Sequence, residues 1–312
     1  MKIAVDAMGG DFAPEAIVEG AVMAASELSD DVTLVLIGRR ATVEALVAQH
    51  AYSLRNLEII HAEDVVEMGE HPTKALSQKP NSSIGVGFKL LRDRQVDVFC
   101  SAGNTGAMHV GALFSVKAIE GVIRPAIAGF VPQLEGGHAI MLDIGANADC
   151  KPEMLAQFGE LGSIYAQYTF GIDRPRVALM NIGSEEQKGS LVAQAAYQLL
   201  QQNRKINFVG NIEGGDMFRS KADVIVTDGF TGNVIFKLGE SIYDMSTELS
   251  LKHEFIDKTN YESVGGSPII GVNGNVIIAH GISSPTAIKN MIHLAKKQVE
   301  SNAYVKIAQA LS

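Results

Sequence analysis

Short apolar runs recur along the chain, each closed by glycine and polar residues and most followed by a stretch whose apolar residues fall three and four apart. The runs are residues 3–5, 32–37, 57–60, 96–100, 125–131, 138–142, 176–180, 206–209 and 223–226, with two more inside 268–278. Runs this short read as buried strands, and the segments between them read as amphipathic helices. Helices are expected from near Pro14, over 42–51, around Lys74 and Lys79, from Asn81 or Ser82, over 108–118, and up to Leu200. A later one carries Leu238, Ile242, Met245 and Leu249 as a core-facing or dimer-facing stripe. The last starts at Ser283-Ser284-Pro285, with Ile288, Met291, Ile292, Ala295 and Val299 on one face. Alternation of strand and helix predicts a mostly parallel sheet. It is interrupted at Gln133-Leu134-Glu135-Gly136-Gly137 and at Asn273-Gly274-Asn275, both hairpin signals.

The strand ends carry the chemistry. Ser101-Ala102-Gly103-Asn104-Thr105-Gly106-Ala107 joins a strand to a helix, and its glycines, hydroxyls and amide suit an anion or an ordinary capped turn. Ser82 and Ser83 open the preceding helix. The first strand runs into Asp6-Ala7-Met8-Gly9-Gly10-Asp11, which lacks the dinucleotide fingerprint. Its two acids orient basic groups or a metal, or are the solvated acids such turns usually hold. Similar turns follow at 143–152, with Asp143, Asn147 and Cys150, and at 181–190, with Gly183, Glu185, Glu186 and Lys188. Others lie at 210–216 and at 227–233, where Asp228 and Gly232 precede Asn233 in what reads as the first turn of a helix.

A lysine near a helix start opposes the helix dipole, so Lys188 answers either an anionic ligand or Glu185 and Glu186. His280 is a general acid or base, or a histidine held by backbone bonds. Cys150 reads as a small packed side chain, since nothing near it in sequence would lower its pKa. Open α/β sheets bind ligands beyond the carboxyl ends of their strands, so the turns are expected to converge on one site suited to a phosphate and a developing oxyanion.

Composition narrows this. With 312 residues and 46% hydrophobic content, the chain can build one large or two intertwined α/β lobes. A net charge of −9 without a basic block argues against nucleic acid as the main partner. No His/Cys cluster offers a metal site, and no apolar run is long enough to span a bilayer. Residues 1–6 do not resemble a secretory signal, so a cytoplasmic protein with reduced thiols is expected.

The ordered set formed by residues 5–11, 101–107, 143–147 with Cys150-Lys151-Pro152, 181–189, 227–233 and Ala279-His280-Gly281 resembles the bacterial phosphate acyltransferase family of phospholipid synthesis, PlsX, from the first strand to the last helix. The resemblance implies a three-layer α/β/α, Rossmann-like fold with a mostly parallel mixed sheet, akin to isocitrate and isopropylmalate dehydrogenases, in two intertwined lobes. It implies a homodimer that needs no cofactor and moves a fatty acyl group from acyl carrier protein to inorganic phosphate. The acyl phosphate would go to a membrane glycerol-3-phosphate acyltransferase, which places the enzyme in the cytoplasm or at the inner face of the membrane. Phosphate is its own nucleophile, so no covalent serine or cysteine is required. Matched residue by residue, Lys188 and Asn233 take the catalytic positions. Ser82, Ser83, Ser101, Gly103, Asn104, Thr105, Gly106, Asp143, Asn147, Gly183, Glu186, Asp228, Gly232 and His280 take substrate or phosphate contacts.

One segment departs from the family. Residues 234–259 are short and acidic where many members carry a longer apolar or basic helical pair, which leaves membrane docking open. Arg204, Lys205, Arg219, Lys221, Lys296 and Lys297 are the basic candidates for an acidic carrier. Three other readings stand beside this one: a short-chain phosphate acetyl- or butyryltransferase using coenzyme A, a dehydrogenase needing a divalent metal and nicotinamide, and a non-catalytic scaffold for lipid enzymes.

Overall fold

The continuous runs of valine, isoleucine and leucine in the central strands mean burial on both faces, which is how parallel strands under helices are built. A computed structural model, describing residues 1–50 and 56–312, bears this out. The chain folds as two units, the first made of residues 1–118 and 261–300 and the second of 119–260 and 301–312, so the backbone passes between them more than once.

In the first unit, strands β1 (Lys2–Asp6), β2 (Thr33–Gly38), β3 (Leu57–His61) and β4 (Val98–Ser101) alternate with helices α1 (Glu15–Glu27), α2 (Arg40–Gln49), α3 (Pro72–Gln78) and α4 (Ser83–Arg92). Helix α5 (Thr105–Gly111) follows β4. After the second unit the chain adds β10 (Ser267–Ile270), β11 (Asn275–Ile278) and α10 (Pro285–Ser301). The strand order is β3-β2-β1-β4-β11-β10, parallel except for the β10–β11 hairpin at Asn273-Gly274. The chain leaves β1 toward β2 on one side and meets β4 on the other, so a topological switch point lies beyond the carboxyl ends of β1 and β4.

The second unit contains β5 (Ala126–Pro132), β6 (His138–Leu142), α6 (Pro152–Phe170), β7 (Arg176–Met180), α7 (Leu191–Gln202), β8 (Asn207–Ile212) and β9 (Val224–Val226). Helices α8 (Gly229–Glu248), α9 (Glu254–Thr259) and α11 (Ala303–Leu311) complete it. Its strand order is β5-β6-β9-β7-β8, with β5–β6 the antiparallel hairpin expected at residues 133–137 and the rest parallel. The carboxyl ends of β6, β9 and β7 are therefore neighbours on one edge. At the opposite ends of β7 and β9, Arg176 grips Asp223 through its backbone N–H at 2.7 Å and its guanidinium at 2.9 and 3.0 Å. That clamp sets the register from which the functional edge is projected.

Several expectations need correction. The helix expected over 108–118 starts earlier, at Thr105, and passes into a π-helical turn at Ala112–Val116. The helix over 42–51 is α2, and position 51 lies outside the described residues. The α8 stripe does not face the core: Leu238, Met245 and Leu249 are exposed, and the inward side is made by Gly229, Gly232 and Ser246. Among the described residues no helix is long and apolar enough to cross a membrane.

Candidate functional site

The predicted site residues divide between the units. In the first, β1 and β4 end side by side and their turns are tied through Asp6. Its carboxylate accepts the Ser101 hydroxyl at 2.7 Å and the Met8 amide at 3.0 Å, and Ser101 Oγ in turn accepts the Gly103 amide at 2.9 Å. Ser83, also buried, lies beside the same carboxylate without a well-formed hydrogen bond. Asp6 is buried rather than a solvated turn acid. Burial pushes its carboxyl above the usual carboxylate range, and the Ser83 and Ser101 hydroxyls with the Met8 and Gly9 amides hold it back.

The polar groups around Asp6 are committed locally. Ser82 caps α4 by accepting the Gly85 amide at 3.2 Å. Asn104 caps α5 through Ala107, while its amide nitrogen donates to the carbonyls of Glu67, Met68 and Glu70, each at 3.0 Å. Thr105 stays exposed and Gly106 packs against Pro72. His280 follows β11: its Nδ1 accepts the Ile282 amide at 3.4 Å, its carbonyl accepts the Ser283 hydroxyl at 2.6 Å, and its ring lies against Tyr261. Of the two readings of His280, the geometry fits the histidine held by its own turn.

In the second unit three turns follow the neighbouring ends of β6, β9 and β7. The β6 turn wraps around Asp143, a fully buried carboxylate that accepts amide N–H groups only. Helix α8 docks on this turn. Its first amide, Gly229 N–H, donates to the Asn147 carbonyl at 2.7 Å, and Asp228 caps the helix by accepting the Thr231 amide and hydroxyl, both at 2.8 Å. A side chain at Gly232 would run into the Asp143 carbonyl oxygen, so only glycine permits this approach. Asn233 then lies in the second turn of α8, not the first, because the cap is Asp228 and the helix starts at Gly229. Its amide nitrogen donates to the Ile144 carbonyl at 3.1 Å. A carbonyl only accepts, so that contact fixes the nitrogen inward and leaves its second N–H available, with the residue exposed.

The β7 turn presents Lys188. Asn181, at the strand end, accepts the Ile182 amide at 2.9 Å and donates to the Lys188 carbonyl at 3.1 Å, closing the loop on itself. The Glu185 carbonyl accepts both the Lys188 amide, at 3.1 Å, and the Asn211 side chain, at 2.9 Å. The Lys188 side chain passes over Gly183, and Ser190 caps α7. Glu186 is held by Gln198. Among the described residues the Lys188 ammonium enters no ion pair, although the Glu185 carboxylate lies with the Lys188 side chain over Gly183. Asn181 and Asn211 shape this loop and are absent from the residues the sequence singles out. An asparagine directly at a strand end before a glycine-containing loop is the signal that marks Asn181.

Cys150 is half buried, its thiol pushed up to about 12 by burial first and by the Asp143 charge next. Nucleophilic chemistry at this sulfur is therefore disfavoured. No group of three His, Cys, Asp or Glu side chains among the described residues is placed to hold a metal ion.

The α/β fold is shared with phosphotransacetylases. The chain superposes on a phosphotransacetylase from Streptococcus pyogenes with a TM-score of 0.69, 17% identity and coverage of 96% of this chain and 94% of that one. A branched-chain phosphotransacylase from Enterococcus faecalis gives 0.64 and 14%, covering 96% and 99%. At these identities the likeness is one of fold. Sequence goes further. Residues 1–306 match the family described as "Fatty acid synthesis protein". A phosphate acyltransferase of Dictyoglomus thermophilum is 44% identical over all of this chain and 98% of its own length, and one of Salinibacter ruber is 41% identical over 99% and 97%. The chain belongs to the PlsX family of phosphate acyltransferases and is an acyltransferase. The first of these alignments runs over 331 positions against 312 residues here, so that relative carries segments this chain lacks.

Proposed function

We propose that the enzyme transfers a fatty acyl group from the thioester of acyl carrier protein to inorganic phosphate. A phosphate oxygen attacks the thioester carbonyl, the carbonyl oxygen gathers negative charge, and the C–S bond breaks. The thiolate leaves and takes up a proton, giving acyl phosphate and free thiol. The single observation that carries this reading is the pairing, on neighbouring strand ends of one unit, of an unpaired lysine ammonium with an amide N–H held in a fixed direction by the Ile144 carbonyl. Lys188 offsets the charge of phosphate and oxyanion, and Asn233 donates to the carbonyl oxygen. No residue of the chain is required as a nucleophile, in keeping with the raised thiol at Cys150.

The polar turns of the first unit, with Ser82, Ser83, Ser101, Asn104 and Thr105, are assigned to shaping substrate contacts. Thr105 supplies the exposed hydroxyl, while Ser82, Ser101 and Asn104 hold backbone amides in place. A second copy of the chain is assigned to the exposed α8 face, where Phe230, Val234, Leu238, Met245 and Leu249 recur four, four, seven and four residues apart on one side of the helix. The product, a reactive mixed anhydride, suits a membrane glycerol-3-phosphate acyltransferase as its consumer.

The test is product trapping. Purified protein is given long-chain acyl carrier protein or a short-chain acyl coenzyme A, with and without inorganic phosphate, and acyl phosphate is captured as hydroxamate after the protein is removed. Phosphate-dependent product from the carrier-bound donor is expected. Product from the coenzyme A donor alone would assign the chain to short-chain phosphotransacylase chemistry instead.

A further inference from the structure

Asp143 reads from sequence as a group for a ligand or for a neighbouring loop, and its surroundings leave no lone pair facing outward. One carboxylate oxygen accepts the amides of Ile127 at 3.0 Å, Gly145 at 3.2 Å and Ala146 at 3.1 Å. The other accepts the Asn147 amide at 2.6 Å and the Asn147 side-chain nitrogen at 2.9 Å. The side-chain nitrogen of Asn147 also donates to the Pro125 carbonyl, at 2.9 Å. Five N–H donors on a wholly buried carboxylate, with no cation among them, make a loop-organising centre and not a ligand site.

The outer face of that same loop is what receives α8. Carbonyls that point away from the carboxylate take the Gly229 amide at Asn147 and the Asn233 side chain at Ile144. The Asp143 peptide itself is anchored on both sides of the strand end, donating to the Thr227 carbonyl at 2.9 Å while Thr227 donates to Leu142 at 2.7 Å. The direction of the Asn233 N–H therefore depends on the loop, and the loop is folded around one carboxylate. We infer that Asp143 is a positioning residue: it holds the Ile144 carbonyl in the one place from which it can orient the Asn233 amide toward the reacting carbonyl. The inference rests on the role proposed above for Asn233. It removes Asp143 from the set of substrate contacts.

The test couples the two residues. In Asp143→Asn one acceptor oxygen becomes an amide NH2 donor, so the loop loses acceptor capacity while keeping its volume. Turnover should fall about tenfold or more with the KM for phosphate within about twofold, a split expected when only transition-state stabilisation is lost. In an Asn233→Ala background the same Asp143→Asn change should cost less than about twofold, because the group it positions is gone. A full additional loss in that background, or no effect of Asp143→Asn alone, overturns the inference. If Asp143→Asn does not fold, Asn147→Ala removes one donor to the carboxylate and one to Pro125, and it should show the same coupling at smaller size. A readout independent of turnover separates this inference from the transferase reading. With ¹⁵N-asparagine labelling, the Asn233 side-chain N–H that donates to Ile144 should exchange more slowly than a free asparagine amide in the unmodified protein and lose that protection in Asp143→Asn or Asn147→Ala. Unchanged protection overturns the positioning role even where no acyl phosphate is formed.

Discussion

The side chain of Asn181 donates to the main-chain carbonyl of Lys188 at 3.1 Å, seven residues on, and so closes the β7 loop, in which the lysine ammonium forms no ion pair among the described residues. The loop spends its own hydrogen bonds on its shape and keeps its cation unpaired. Lys188→Ala should accordingly reduce kcat/KM by about a hundredfold or more, as the loss of a charge-stabilising group in a prepared site does. Lys188→Arg should recover part of it. The unfolding midpoint of Lys188→Ala should stay within a few degrees, because no ion pair is lost. A variant with normal rates would remove the lysine from the chemistry.

Gly232 sets how closely α8 can approach the β6 turn. Gly232→Ala puts a methyl group against the Asp143 carbonyl oxygen, which only backbone movement can relieve. A loss of about 1–3 kcal/mol in unfolding free energy is expected. Urea titration measures it, and activity should fall with it because Asn233 is the next residue. Unchanged stability would mean the helix has room to spare there.

How much of this was readable beforehand depended on the range of the interaction. The Asn273-Gly274 and Gly136-Gly137 hairpins, the Ser82 cap and the strand runs are set by neighbours in sequence, and they fall where the pattern predicts. Asp6 reads locally as a solvated turn acid because its partner, Ser101, is 95 residues away, and a carboxylate in a glycine turn carries no local mark of burial. Asn233 was placed one turn early because two cap-like residues, Asp228 and Thr231, precede it, and only the docking of Gly229 on Asn147 decides between them. The even choice at Lys188 was a real ambiguity of sequence: proximity to Glu185 and Glu186 says nothing about which way the loop turns. The α8 stripe had the spacing of a core helix, yet its core side is built of two glycines and a serine.

Asp6 makes stability depend on pH with a definite sign. Its carboxyl, raised mainly by burial, binds a proton more tightly folded than unfolded. The stability this contributes is present in full below the unfolded value of about 3.9 and is lost as pH rises through the folded one. Asparagine does not titrate. The unfolding free energy of the unmodified protein minus that of Asp6→Asn should therefore fall as pH is raised from about 4 toward neutrality. A difference that is flat or rises with pH would contradict the burial of that carboxyl.

The two thiols should be inert in the folded protein. Burial raises Cys100, and Cys150 is pushed up to about 12. Neither should react with an aromatic disulfide reagent at mildly alkaline pH over a time in which both react in urea, and Cys150→Ser should keep its acyltransferase activity. Rapid labelling of Cys150 with loss of activity would point to a thiolate in the reaction.

The most direct measurement follows acyl phosphate by ³¹P NMR in parallel samples of the unmodified protein and Asn233→Ala, each with acyl carrier protein thioester and phosphate. The account predicts a phosphate-dependent acyl phosphate signal from the first. It predicts one about a hundredfold slower from the second, matching the roughly 3 kcal/mol that one oxyanion donor supplies, with thermal unfolding unchanged. Equal rates in the two samples would contradict the assignment of transition-state stabilisation to the amide that Ile144 holds in place.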